Sequence, residues 1–232
     1  MIAENFAEIF MKIERAAARG GRSRDEVRIV AAAKGQGREK IEEALSAGVT
    51  IIGHNYLQEA SREMPRQIPP EVEIHMIGHL QKNKAGKAVE IFHVIETVDS
   101  VDLAAALARR AEALGRNIGV MIQVNLAHEA QKSGIKEEMV PELIGAILRF
   151  PWLRLLGLMT MPPFFDQPEK ARFFFARLRD LRERLMASGV LASDMKELSM
   201  GMTGDFDVAV EEGATLVRVG TALFGPRHNA ND

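Results

Sequence analysis

Two rhythms alternate along the chain. In the opening segment Phe6, Ile9, Phe10, Ile13 and Ala17 recur at helical spacing, with Glu4, Glu8, Lys12 and Arg15 between them. Gly20-Gly21 marks a helix stop. Residues 27–33 are short and apolar, the pattern of a strand covered on both faces. Residues 38–47 return to helical periodicity and close at Gly48. The same two beats repeat to the end. Strands are predicted over 50–53, 73–77, 93–97, 119–125, 153–160, 196–200 and 215–219. Helices fall between them over 56–64, 82–91, 101–114, 136–150, 168–188 and 205–212. Eight strand–helix beats, the last cut short, follow one extra helix. The predicted fold is α/β, a single (β/α)8 TIM-type barrel over 1–232 with an extra N-terminal helix. A doubly wound open sheet is the competing reading, weakened because no G-x-G-x-x-G follows the first strand.

Composition narrows the setting. The chain has 232 residues, close to the usual barrel size of about 250. Thirty basic and 32 acidic side chains leave a formal charge of −2, so no nucleic-acid surface is expected over the whole protein. There is no cysteine, which excludes disulfides, thiolate chemistry and Cys-ligated zinc. No apolar run reaches the roughly 18 residues of a membrane span, and the N-terminus lacks a signal-peptide pattern. The expectation is a cytoplasmic protein without membrane or nucleic-acid partners.

In a barrel, active groups lie just past the C-terminal ends of the strands. Lys34 follows the first strand. A lysine leaving an apolar wall can form a Schiff base, or can simply snorkel to water at a strand end. The seventh and eighth loops carry Gly201-Met202-Thr203-Gly204-Asp205 and Gly220-Thr221. Glycines let backbone N–H groups approach an anion, and barrels frequently hold phosphate in this pair of loops. The plain alternative is that Thr203 or Asp205 caps a helix and the glycines ease a turn. A phosphorylated aldehyde on a lysine points to pyridoxal 5′-phosphate (PLP). Arg218, in the apolar run Leu216-Val217-Arg218-Val219, then has a place facing the pyridine nitrogen; otherwise it is an interior arginine paired with a carboxylate.

Four strings carry a resemblance over nearly the whole chain. They are 77–84 (Ile-Gly-His-Leu-Gln-Lys-Asn-Lys), 157–161 (Gly-Leu-Met-Thr-Met), 198–206 (Leu-Ser-Met-Gly-Met-Thr-Gly-Asp-Phe) and 218–225 (Arg-Val-Gly-Thr-Ala-Leu-Phe-Gly). With them the sequence resembles the PLP homeostasis protein family, single-domain relatives of the N-terminal barrel of alanine racemase. The resemblance implies Lys34 as the Schiff-base lysine, Asn55 beside the ring and Arg218 at the pyridine nitrogen. It implies Ser199, Thr203, Gly220 and Thr221 around the phosphate, with Met200 counted among the cofactor-binding residues. Two departures stand near the cofactor. Gly35-Gln36-Gly37 replaces the family's usual Thr-Lys or similar pair, and Gly53-His54-Asn55 replaces Gly-Glu-Asn, which takes one negative charge from the expected rim.

The resemblance implies storage of PLP, or its delivery to PLP-dependent apo-enzymes, rather than strong catalysis. A racemase needs two acid/base groups. In alanine racemases the second is a tyrosine from a β-rich domain of the partner subunit. This sequence ends shortly after the eighth strand, and its one tyrosine, Tyr56, lies at a predicted helix start. A monomer is favoured over a dimer. An amino-acid racemase and a phosphate-sugar enzyme using Lys34 are the alternatives. No metal is expected, because His75, His93, His128 and His228 lack ligand partners at helix spacing. His79 is placed either near the ligand or in a loop bond. Phe173-Phe174-Phe175 with Leu178, Leu181 and Leu185 reads as a core face that could extend to a dimer contact. Arg177, Arg179, Arg182 and Arg184 read as a solvated face, and Lys132 as a solvated rim amine.

Overall fold

The structure is a computed structural model that describes residues 1–127, 129, 133–189 and 195–226. Lys132, His128 and His228 lie outside the described residues. Eight strands form the closed parallel barrel that the eight beats predict: β1 Arg28–Ala32, β2 Ile51–His54, β3 Glu73–Met76, β4 Val94–Val98, β5 Ile118–Gln123, β6 Leu153–Met159, β7 Glu197–Met202 and β8 Leu216–Val219. Each strand pairs with the next, and β8 closes on β1 with Val30 opposite Arg218. The open-sheet alternative is thereby set aside.

Strand side chains alternate between two environments. Val30, Ile51, Ile77, Val94, Met121, Met159 and Leu216 fill the barrel interior. Their neighbours Ile29, Ala31, Ile52, Ile74, Ile95 and Val217 face outward into a second, larger core under the helices. That is why the strands read as continuous apolar runs rather than alternating ones. The helices are α1 Ile2–Arg19, α2 Arg38–Ser46, α3 Leu57–Glu63, α4 Ala85–Ile91, α5 Val101–Leu114, α6 Val140–Ile147, α7 Arg172–Ala187, α8 Phe206–Glu211 and α9 Thr221–Phe224. The extra helix α1 packs against α8 and α9 across the closing seam. Asn5 Nδ2 donates to the Leu223 carbonyl at 2.9 Å, and Arg22 Nη1 donates to the carbonyls of Val210 and Ala214.

The predicted helices starting at 82, 136 and 168 each begin instead with a tighter 3₁₀ turn, over Lys82–Lys84, Glu137–Met139 and Pro168–Ala171. Two surface readings are corrected. Phe173 is 63 % exposed and Phe175 fully buried, because consecutive helical residues turn by about 100° and cannot share one face. Phe174 stacks on Phe165 from the loop after β6. The α7 arginines are not merely solvated. Arg177 and Arg184 both pair with Glu137, Arg179 with Glu212, and Arg182 donates to the Lys196 carbonyl, so the face ties α7 to its neighbours. Among the described residues, no helix is long and apolar enough to cross a membrane.

Candidate functional site

A cavity of about 350 Å³ opens at the C-terminal mouth of the barrel. Lys34 enters it because strand parity continues past the end of β1. Val30 and Ala32 belong to the interior set, and Lys34 is the next residue on that side. The turn Ala33-Lys34-Gly35-Gln36 is closed by the Gln36 N–H donating to the Ala33 carbonyl at 3.0 Å. Its third residue needs φ +69°, which explains glycine at 35. Lys34 is half-buried. Among the described residues its Nζ has no hydrogen-bond acceptor or carboxylate partner. It lies 5.4 Å from the centre of the Tyr56 ring. Asn55 reaches the same wall from β2. The chain after β3 passes so close that a Cβ on Gly78 would sit 2.2 Å from the Asn55 carbonyl oxygen, so only glycine fits there.

Arg218 forms part of the cavity floor and is 4 % exposed. Its Nη1 donates to Ser199 Oγ at 2.5 Å and its Nη2 to the Thr160 carbonyl at 2.8 Å. Ser199 Oγ in turn donates to Glu96 Oε2 at 2.5 Å. The other carboxylate oxygen, Glu96 Oε1, lies 2.7 Å from His75 Nδ1. His75 Nε2 is 3.4 Å from Glu73, which pairs with Arg28 at the opposite end of the barrel. Glu96, His75 and Ser199 are all essentially inaccessible. Burial opposes charge on His75, yet its two carboxylate partners hold its pKa above the ordinary histidine value. Burial likewise works against an ionised Glu96, but His75, Arg218 and Ser199 bring its pKa below the usual carboxylate range. Burial lowers the Arg218 pKa against the pull of Glu96 and Asp205.

The third wall is made by the loops after β7 and β8. Met202, Thr203, Gly204, Asp205, Gly220 and Thr221 line the cavity. Asp205 Oδ1 accepts the Met202 N–H at 2.6 Å, which folds the loop back on itself instead of capping α8. Burial raises the Asp205 pKa despite that bond and the nearby Arg218 charge. The Ala222 N–H reaches Thr203 Oγ1 at 3.4 Å, linking the two loops. A Cβ on Gly204 would meet nothing within 4 Å, so the backbone at this position borders open space.

Six of the eight residues singled out from sequence, Lys34, Asn55, Thr203, Arg218, Gly220 and Thr221, therefore line one cavity. Ser199 and Met200 do not. Ser199 points into the barrel beneath Arg218, and its neighbour Met200 faces outward into the helix-covered core. His79 stands outside the lining, 3.9 Å from Asp99. The expected loss of a rim charge at position 54 is corrected. His54 is fully buried, with Nε2 3.1 Å from Met64 Sδ under α3, because its parity turns it away from the cavity. Burial brings its pKa down to about 4. Sequence reasoning missed Glu96 and His75 as a pair. The available signal was a lone acid in Val94-Ile95-Glu96-Thr97-Val98 and a histidine in Ile74-His75-Met76, both on the interior parity that holds Arg218. Among the described residues no cluster of three His, Asp or Glu side chains could hold a metal ion.

A closed barrel with a mouth-facing lysine and an interior arginine defines a class, and residues 7–228 match the alanine racemase N-terminal domain family. The relatives narrow it. The chain is 38 % identical to the pyridoxal phosphate homeostasis protein of Pseudomonas aeruginosa, covering 97 % of this chain and 96 % of that one. It is 36 % identical to the protein of the same name from Aquifex aeolicus, covering 97 % of each. The solved structure of PipY from Synechococcus elongatus with PLP bound superposes with a TM-score of 0.82 at 32 % identity, covering 97 % of this chain and all of that one. The chain belongs to the pyridoxal phosphate homeostasis protein family.

Proposed function

We propose that the protein binds PLP in the cavity at the barrel mouth, holds it as a Schiff base on Lys34, and stores it or delivers it to apo-enzymes. The observation that carries this reading is a half-buried amine without a polar partner among the described residues, facing a cavity shared with a fixed guanidinium and a glycine- and hydroxyl-bearing rim. The three chemical ends of PLP have three matching walls. Lys34 would take the aldehyde carbon. Thr203, Gly204, Gly220 and Thr221 would hold the phosphate through hydroxyls and backbone. Arg218 would meet the ring nitrogen, with Asn55 beside the ring. PipY, similar over its whole length, was solved with PLP bound, and the curated relatives carry the homeostasis name.

Bound there, PLP would supply an electrophilic carbon and a conjugated ring able to accept electrons. A guanidinium at the ring nitrogen disfavours protonation of that atom and so weakens the electron sink, which suits holding the cofactor better than turning over amino acids. The racemase reading gains one observation, the Tyr56 ring beside Lys34. Lys34 and Tyr56 follow neighbouring strands, however, whereas racemisation needs acid/base groups on opposite faces of the substrate.

The test is visible absorbance of purified protein with added PLP, wild type against Lys34→Ala, followed by borohydride reduction and peptide mapping. A lysine-linked band lost in the variant, with the label on Lys34, is expected. The same wild-type sample should show no appreciable racemisation of alanine. A wild type without the band, or a label spread over surface lysines, would overturn the reading.

A further inference from the structure

From Arg218 in the cavity floor a row of buried polar side chains from four different strands runs into the barrel, and the proposed binding itself uses only the first of them. Arg218 comes from β8, Ser199 from β7, Glu96 from β4 and His75 from β3. An apolar set of the same volume would have avoided the cost of burying two unlike charges. The Arg218 and Glu96 charges are also not in direct contact. No carboxylate lies within ion-pair distance of Arg218 among the described residues, and its link to Glu96 runs through the Ser199 hydroxyl. Two donors of the guanidinium are thereby fixed in the barrel wall. The others have no acceptor among the described residues, on a side chain that borders the cavity.

We propose that Glu96 is a positioning residue for the ligand site: through Ser199 it fixes the Arg218 guanidinium at the cavity floor, while His75 orients the Glu96 carboxylate from the other side. The inference rests on the proposed PLP reading for its ligand, but the Glu96–Arg218 coupling itself does not. Each partner has one geometry available. The carboxylate spends one oxygen on His75 and the other on Ser199, so it can neither rotate nor approach Arg218 directly. Ser199 uses its hydroxyl as acceptor from Arg218 and donor to Glu96, which fixes the direction of the chain. The charged and titratable groups around this row are Asp205 at the rim and Glu73, Arg28 and His93 below His75. Of these, only Asp205 also borders the cavity, and its carboxylate is tied to the Met202 N–H. Glu96 is thus the buried acid that balances Arg218 from within the barrel.

The experiment uses Glu96→Gln and Ser199→Ala, singly and together, with Arg218→Met as the reference. The Gln variant keeps the shape and removes the charge; the Ala variant keeps both charges and removes the bridge. PLP affinity, read by absorbance titration, is expected to fall about tenfold or more in each single variant. The double variant should cost much less than the product of the two, as for groups acting in one chain. The absorbance of bound PLP should also become pH-dependent between about pH 5 and 8 in Glu96→Gln and not in wild type, as a displaced guanidinium releases control of the ring nitrogen. A generally loosened barrel would not produce that signature. Independently of any ligand, Glu96→Gln and Arg218→Met should be coupled by roughly tenfold or more in the urea-unfolding equilibrium. Additive unfolding effects overturn the positioning role. So do a wild-type PLP affinity and a pH-independent spectrum in Glu96→Gln. A wild type that binds no PLP overturns the cofactor reading instead, and the unfolding cycle then still decides whether Glu96 holds Arg218.

Discussion

At the scale of single residues, the parity of a strand decides which polar side chains can meet. Lys34 and Arg218 are read from sequence because each ends or interrupts an apolar run. Glu96 and His75 stand in the same kind of run, yet Glu96 is bonded to Ser199, 103 residues further along the chain, and only through it to Arg218. His54 shows the opposite case, a residue beside the site in sequence that faces away from it. Among the described residues its Nδ1 has no hydrogen-bond partner, and burial holds its pKa near 4, below the 6.5 of an unconstrained histidine. The unfolded chain therefore takes up this proton first as pH falls. The His54 contribution is fully present above about pH 6.5 and is lost progressively toward pH 4, by about 3 kcal/mol at most. In His54→Phe, urea unfolding between pH 4 and 7 should lose that part of its slope; an unchanged slope would assign the acid sensitivity to other groups.

At the scale of elements, the turns matter more than the helices for the site. The helical periodicity from 82, 136 and 168 marks where each element lies, but each begins with a 3₁₀ turn that periodicity does not distinguish from the helix proper. The turn after β3 makes the sharpest demand. Gly78 leaves room for the Asn55 backbone, so Gly78→Ala must push β2 and β3 apart at the cavity rim. We expect a stability loss of about 3 kcal/mol by urea denaturation, together with weaker PLP binding as Asn55 shifts. A Gly78→Ala protein with wild-type stability would mean that the two segments separate freely. Phe173-Phe174-Phe175 makes a related point. Three consecutive aromatic residues look like one cluster in sequence, but helical geometry sends one to the core, one to Phe165 and one to solvent.

At the scale of the whole molecule, closing the barrel brings the first and last strands together and leaves α1 to cover the seam. Ile2, Ile9 and Ile13 of α1 are buried, and at about 2 kcal/mol each they supply some 6 kcal/mol, comparable to the whole stability of many domains. A chain beginning at residue 20 should therefore lose cooperative thermal unfolding by circular dichroism, even though α1 contributes nothing to the cavity lining. Cooperative melting near the full-length temperature would show that the seam closes without it. The same closure makes the cavity. Its walls come from the ends of β1, β2, β3, β6, β7 and β8 and the loops after them, which closure of the barrel brings around one opening.

Alternating apolar runs and helical faces by themselves determined the eight strands, their parallel order, the extra helix and the end of the barrel where chemistry gathers. These are local properties, set by a strand's burial on both faces and a helix's burial on one. The sequence likewise marked Lys34, the two glycine-bearing loops and Arg218, because a charge or a glycine in an apolar run is a local anomaly. Tertiary structure alone decided that Ser199 supports Arg218 from below, that His54 turns toward α3, and that Glu96 and His75 stand under the site. The link from Glu96 to Ser199 depends on strands 103 residues apart meeting inside the closed barrel, and the side taken by His54 depends on which parity of β2 that closure turns inward.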